Sequence, residues 1–265
     1  MKTIGLVLQP LDTLFFRGGR PFLPGLPGES SLPPPQALAG LVRTLLLERS
    51  GADLRAMRGK KEMRDGFEAA GVPWLAQVAV RGPFLAEDGN CGPEPVVRAP
   101  ADLLLGDDGI QRLRPLRRPI AGWNPPEAGL LPLWTPGGRP PKERPQFLDW
   151  AGLRAYLWGE EIEKDHLRRA EDLFEMEDRT GIEIDAERWA AAESRIYAVR
   201  TLRLRRGVTF YGEVEVPEEG EALVPEEAAV PWGGERHYVR LRRVPPVAWP
   251  AASGRQQTLV LYTTS

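Results

Sequence analysis

Near the N-terminus the run TIGLVLQ carries apolar side chains on both parities, with Ile4, Leu6 and Leu8 on one and Val7 on the other. Strict alternation would leave one face wet. This pattern predicts a central strand covered on both faces. Further on, Leu38, Leu41, Val42, Leu45 and Leu46 recur at helical spacing. The prolines at 33–35 suit the first turn of that helix, Ser30 or Ser31 is its candidate cap, and Gly51 stands where a C-terminal cap belongs. Arg43 and Arg49 fall off the apolar stripe, while Gly40 lies on or beside it and suits close packing on a sheet. WLAQVAVRGPFLA, residues 74–86, predicts a strand and turn that hairpins with the segment near Val96 and Val97. LDWAGLRAYLWG predicts a short helix and DHLRRAEDLFEME a second. From Ser194 the pattern becomes one of strands. VTFYGEVEV alternates, with Val208, Phe210, Val214 and Val216 inward and Thr209, Tyr211, Glu213 and Glu215 outward. RHYVRLRRV follows the turn PWGGE, and TLVLYTT comes last. A strand–loop–helix–strand opening and a strand-rich second half suggest an α+β fold of two ferredoxin-like units joined near the middle.

Composition narrows the classes. The 265 residues are 42% hydrophobic and 27% charged, as in a folded globular protein. No apolar run approaches the roughly 20 residues that span a bilayer, so no membrane is expected. The single cysteine, Cys91, excludes an internal disulfide framework and fits a cytoplasmic setting. His166 and His237 are too far apart in sequence for a zinc motif, and no metal or other cofactor is expected. The net charge of −2 conceals segregation. From Glu160 to Arg188 there are twelve acidic and five basic side chains. Against them stand three arginine clusters: Arg112, Arg114, Arg117 and Arg118; Arg200, Arg203, Arg205 and Arg206; Arg236, Arg240, Arg242 and Arg243. Such a chain can present one basic face to an anion, or can simply carry solvated strand faces. Between Pro115 and Pro145 lie nine of the 27 prolines, a long connection with little regular structure. A proline-rich segment of this kind is suited to docking on a neighbouring subunit.

Three stretches can carry chemistry. PLDTLFFRGGRPF, Pro10 to Phe22, follows the first strand and sets Phe15 and Phe16 beside Arg17, Gly18, Gly19 and Arg20. It lacks the lysine and hydroxyl of a phosphate loop, yet two guanidinium forks around a glycine pair suit an isolated phosphodiester. EMEDRTGIEID, Glu175 to Asp185, is rich in carboxylates but lacks calcium-loop spacing, and reads as a solvated surface around a turn at Thr180–Gly181 with Arg179 at its tip. PWGGERHYVRL sets Gly233 and Gly234 before a basic strand, where another backbone, of protein or of nucleic acid, can approach closely. His237 in the same stretch is a candidate acid or base for metal-independent RNA cleavage.

Taken in order, PLDTLFFRGGRPF, ALAGLVRTLL, RGPFLAEDG with RAPADLLL, EMEDRTGIEID, ESRIYAVRTLRLRRGVTFYGEVEV and PWGGERHYVRL resemble the third Cmr subunit of type III-B CRISPR effector complexes. That is a RAMP-superfamily family of the group that handles the 5′ end of the CRISPR RNA (crRNA). The resemblance covers nearly the whole chain. It implies an N-terminal ferredoxin-like domain over 1–110, a proline-rich and helical connection over 111–178 and a second ferredoxin-like domain over 179–265. It also implies a non-catalytic role: holding the repeat-derived 5′ handle of the crRNA and bridging the large polymerase-like subunit to the first backbone RAMP subunit. Carried over to this chain, the RNA-facing residues are Phe16, Arg17, Gly18, Gly19 and Arg20 in the opening loop, and Arg43 on the helix. Arg179, Thr180 and Gly181 follow in the acidic run, with Arg203 and Arg205 in the second arginine cluster and Gly233, Gly234 and Glu235 in the glycine-rich segment. Phe15 and Phe16 then either anchor the loop or stack a base.

Relatives of this kind continue past an LVLYTTS-type strand with a glycine-rich stretch and closing strands. The resemblance therefore implies either a shortened chain or a second sheet completed by a partner. Two other readings stay open. One is a metal-independent CRISPR repeat endoribonuclease using His237; the other is a protein-only scaffold whose arginines meet acidic partner surfaces. The scarcity of histidine favours binding over catalysis.

Overall fold

In the computed structural model, the strand predicted at the N-terminus is β1 (Lys2–Pro10), and Ile4, Leu6, Val7 and Leu8 are all buried. The structure describes residues 1–16, 28–89, 92–106, 109–116, 131–135, 143–184, 191–235 and 237–251. The chain divides into two units, one of Met1–Pro95 with Leu173–Ala248 and the other centred on Val96–Asp172. Besides β1, the first unit carries α1 (Pro35–Ser50), α2 (Met63–Ala69), β2 (Ala79–Gly89), β3 (Phe174–Ile184), β4 (Ala191–Leu204), β5 (Val208–Val216), β6 (Glu227–Pro231) and β7 (Tyr238–Val244).

The protein is a mixed α and β chain with few helices and a large antiparallel sheet. In the first unit the sheet runs in the order β2-β5-β1-β7-β6, every neighbour antiparallel. Strand β1 is central because both its edges are occupied: Leu6 lies opposite Gly212 of β5 on one side and Arg243 of β7 on the other. One face is covered by α1, whose buried residues are Leu38, Leu41, Val42, Leu45 and Leu46. Pro35 opens that helix and Gly51, at φ 68°, closes it. Ser30 and Ser31 do not cap it; Pro34 holds the N-cap position without a side-chain bond, and the Ser30 hydroxyl serves the opening loop instead. Helix and sheet meet at Gly212, where a Cβ would stand 2.6 Å from a Leu38 methyl.

The second face corrects the sequence reading of β5. Thr209, Tyr211 and Glu213, expected outward, are buried, and of that set Glu215 is exposed. Alternation reports two faces but not whether the polar one is wet. Here the segment after β7 covers it: the backbone N–H of Val247 donates to the Tyr211 hydroxyl at 2.9 Å, which donates in turn to Glu213 at 2.9 Å. Arg81 meets the other oxygen of Glu213 at 3.1 Å. Burial, reinforced by the Glu213 bond and charge, pushes the Tyr211 phenol up.

Three further expectations shift. Pro73–Gln77 is a 3-10 turn, so the strand begins only at Ala79, and its neighbour in sequence is the strand Gly92–Arg98. The second helix shrinks to Ala170–Leu173 before β3 starts at Phe174. The turn expected at Thr180–Gly181 is absent: both lie mid-strand, Thr180 opposite Ala198 and Gly181 opposite Tyr197. A full ladder with β4 outweighs the local turn preference of the Thr-Gly pair.

In the second unit, Leu103–Gly106 pairs with Gly109–Arg112 and Phe147–Leu148 with Leu167–Arg168. The predicted short helix is α3 (Trp150–Trp158), capped by Asp149, which accepts from the Gly152 N–H at 2.8 Å, and closed by Gly159 at φ 75°. Inside it Tyr156 donates to Asp102 at 2.9 Å under the Arg112 guanidinium, 4.1 Å from the ring centre. Burial and the Asp102 charge push that phenol up to about 12.

Candidate nucleic-acid interface

The opening motif leaves β1 through a fixed neck. Leu14 bridges to Leu202 of β4 by reciprocal backbone bonds of 2.8 Å each. The Phe16 N–H donates to the Ser30 hydroxyl at 3.0 Å, and its carbonyl accepts from the Ser31 N–H at 3.1 Å. Both polar backbone groups of Phe16 are thus tied to residues fourteen and fifteen positions on, pinching the loop between them. The Phe16 ring is 4% exposed and stands edge-on to Trp232, centroids 4.9 Å apart. Trp232 packs in the same way on Phe210, at 5.2 Å. Phe15 is equally buried. Of the two roles open to these rings, their burial fits that of anchors.

The glycine pair serves this neck. The Gly234 N–H donates to the Phe15 carbonyl at 2.7 Å. At Gly233 (φ 83°) a Cβ would stand 2.6 Å from that same oxygen. The backbone whose close approach demands glycine here is the chain's own. Glu235 follows at φ 57°, a left-handed conformation rare for a residue with a side chain. Phe15, Phe16, Pro34 and the Gly233–Glu235 turn border a pocket of about 370 Å³.

A second tie is ionic. Arg179 on β3 and Arg203 on β4 each turn Nε toward Glu177 and Nη2 toward Asp12 in the opening motif. Arg179 meets Glu177 at 2.9 Å and Asp12 at 3.0 Å; Arg203 meets Asp12 at 3.3 Å and also bonds Glu177. The charges balance, two of each sign. Alongside, Asp178 pairs with Arg200 at 2.7 Å and Glu175 with Arg205 at 2.7 Å. The acidic run and the second arginine cluster lie on the two strands of one hairpin and neutralise each other across it. Burial opposes ionisation of Asp12, but the bonds from Arg179 and the Thr13 backbone and the Arg203 charge outweigh it, leaving the carboxyl below its ordinary 3.8. Glu177 is held below 4.5 by the Arg203 bond first and the Arg179 bond second. A carboxyl with a depressed folded pKa contributes stability above its unfolded value and loses it as pH falls through the folded one. The melting temperature should therefore fall below about pH 4, and more shallowly in Asp12→Asn. Identical acid slopes in a pH series of thermal melts would show that this network is not coupled to unfolding. The groups are largely exposed, so the effect is modest and weakened by salt.

The remaining expected residues divide as follows. Arg17, Gly18, Gly19 and Arg20 lie outside the described residues, as do Arg117, Arg118 and Arg236. Thr180 is exposed on β3, and Gly181 continues that strand. Arg43 lines a separate groove beside α2. His237 is half-buried; its carbonyl accepts from the Trp232 N–H at 2.9 Å. His166 lies in the other unit, against Asp149 at 3.2 Å. Among the described residues no cluster of three acidic, histidine or cysteine side chains can hold a metal ion, and no helix is long and apolar enough to cross a membrane. Sequence reasoning missed Asp12, Glu177, Ser30 and Trp232. Asp12 stood inside the quoted motif, but nothing local ties it to a hairpin far along the chain.

The fold places the chain in a recognisable class. It is similar to a chain in a cryo-EM structure of the type III-B Cmr-beta bound to cognate target RNA and AMPPnP, in state 1, with TM-score 0.51 and 15% identity. A second structure, of Cmr-beta bound to cognate target RNA, gives TM-score 0.50 and 16% identity. In each case the match covers 92% of this chain and 64% of the other, so this chain spans less than two thirds of the solved chains' length. At that identity the likeness is one of fold. No curated protein matches. The family model for the CRISPR-associated protein Cas_Cmr3 matches residues 6–260, and the chain belongs to that family.

Proposed function

We propose that this chain is a non-catalytic RNA-binding and assembly subunit of a type III-B CRISPR (Cmr) complex. It holds the 5′ handle of the crRNA and contacts the large polymerase-like subunit and the first backbone RAMP subunit. Family membership supports the setting. The observation that carries the RNA reading is the neck at Phe16: two buried rings, a glycine turn and two serines immobilise the point from which Arg17–Arg20 departs. Positioning an arginine loop on a rigid base lowers the ordering cost of meeting a phosphate backbone. Asp12, Glu177, Arg179 and Arg203 brace that base from the hairpin side, and the phosphate contacts fall to Arg17 and Arg20. On this reading β1, α1, β2, β5 and β7 form one ferredoxin-like unit, since β7-β1-β5-β2 is the strand order of a βαββαβ fold.

The test is binding of a labelled repeat-derived handle RNA over a salt series, wild type against Arg17→Ala/Arg20→Ala. The double variant should bind about tenfold or more weakly, and its log–log salt slope should be shallower by about 0.7 per lost phosphate contact. Equal affinities and slopes would overturn the assignment. RNA cut by the wild type in EDTA, and spared by His237→Ala, would make the endoribonuclease the better reading.

A further inference from the structure

Helix α1, helix α2 and the 3-10 turn Pro73–Gln77 line a groove of about 750 Å³ in the first unit. Its apolar surface comes from Phe67, buried beneath, Met63, 58% exposed on the rim, and Trp74, half-buried. Trp74 is held by the backbone of the short helix Glu218–Glu221: a Cβ at Gly220 would stand 2.8 Å from the indole. That packing brings Glu219 to the groove. Arg43 enters from α1, and its Nε is fully covered yet has no acceptor among the described residues. Buried donors in folded proteins almost always have one. Arg64 and Glu68, also on the groove, form an exposed ion pair at 3.6 Å. Arg43 and Glu219 are in no ion pair among the described residues, so a cation with an orphaned Nε and an exposed anion border the same groove.

We propose that this groove is a protein-docking site that receives a segment of another subunit of the assembly. The segment presents a carboxylate to Arg43, an apolar side chain to Met63, Phe67 and Trp74, and a basic group to Glu219. The signs of the lining choose protein over RNA. The lining carries both signs equally, Arg43 and Arg64 against Glu68 and Glu219, which a polypeptide of mixed charge matches and a phosphate chain of a single sign does not. The apolar floor offers the desolvated pocket in which interface anchors concentrate. This inference rests on the proposed place of the chain in a multisubunit complex but not on its handle site, and it separates Arg43 from the RNA-facing residues.

The experiment uses the complex assembled with the other subunits of the proposed assembly, this chain carrying a photo-crosslinking amino acid at position 63. Irradiation is expected to join position 63 to another polypeptide, mapped by mass spectrometry to a segment with acidic and apolar residues side by side. Arg43→Glu, and independently Glu219→Lys on the exposed rim, should lower the crosslink yield and the recovery of that subunit by about tenfold. Handle RNA binding by the isolated Glu219→Lys chain should be unchanged, which also shows that this variant is folded. Crosslinking to the crRNA, no crosslink in the assembled complex, or yields unaffected by both substitutions would each overturn the proposal. Loss of handle binding in Arg17→Ala/Arg20→Ala with the crosslink intact leaves both readings standing. Failure of the handle experiment alone leaves this one in place.

Discussion

Gly233→Val is expected to unseat the opening loop and to destabilise the protein by about 3 kcal/mol or more. Two costs combine. A β-branched residue at φ 83° is strained by its own backbone, and its Cβ would press to 2.6 Å from the Phe15 carbonyl. That oxygen is not free to retreat, because it accepts the 2.7 Å bond from Gly234 and belongs to a residue whose ring is buried. The melting temperature should drop by roughly 6–12 °C, and handle RNA binding should fall with it. Gly234→Ala is the control: its Cβ would meet a Phe15 ring carbon at 3.2 Å, a contact that side-chain movement can relieve, so it should cost under about 1 kcal/mol. Equal melts for the two variants would mean that close approach to Phe15 is not what demands glycine at 233.

Trp232→Ala should cost about 3–5 kcal/mol, because it empties the space between Phe16 and Phe210. The informative comparison is Trp232→Phe. The indole N–H is buried without an acceptor among the described residues, so removing it relieves an unsatisfied donor while keeping most of the edge-to-face packing. Trp232→Phe should therefore unfold within about 1 kcal/mol of wild type by urea titration, far from the alanine variant. A phenylalanine variant as weak as the alanine one would show that the full volume of the indole, and not the relief of its N–H, decides the outcome.

The elements whose partners are local were legible in the chain. The two-sided burial of β1, the stripe and both ends of α1 and the Asp149-led helix α3 follow from periodicity and from proline and glycine placement. What could not be read is pairing at a distance. Nothing in VTFYGEVEV states that β5 will lie beside β1, or that Tyr211 and Glu213 will be roofed by the segment after β7. The same blindness shaped the site. Along the chain Glu175, Glu177 and Asp178 read as a solvated acidic surface and Arg200, Arg203 and Arg205 as a basic one; only the ladder sets the two opposite each other. The sequence marks Gly233 and Gly234 as a place of close approach; only the fold names Phe15 as what approaches. The family was legible because it depends on the order of motifs, which needs no pairing at all.

Both strands that cover the edges of β1, β5 and β7, lie far downstream of it, so β1 leaves the ribosome well before either. Residues beyond 200 must be made before either edge is covered, on the order of ten seconds or more at ordinary elongation rates. Throughout that interval TIGLVLQ is an apolar, β-prone segment with two open edges, the kind of nascent sequence that aggregates or recruits chaperones. A production strategy that slows translation between β1 and β5 should therefore lower the soluble yield of this protein, whereas slowing ahead of β1 should not.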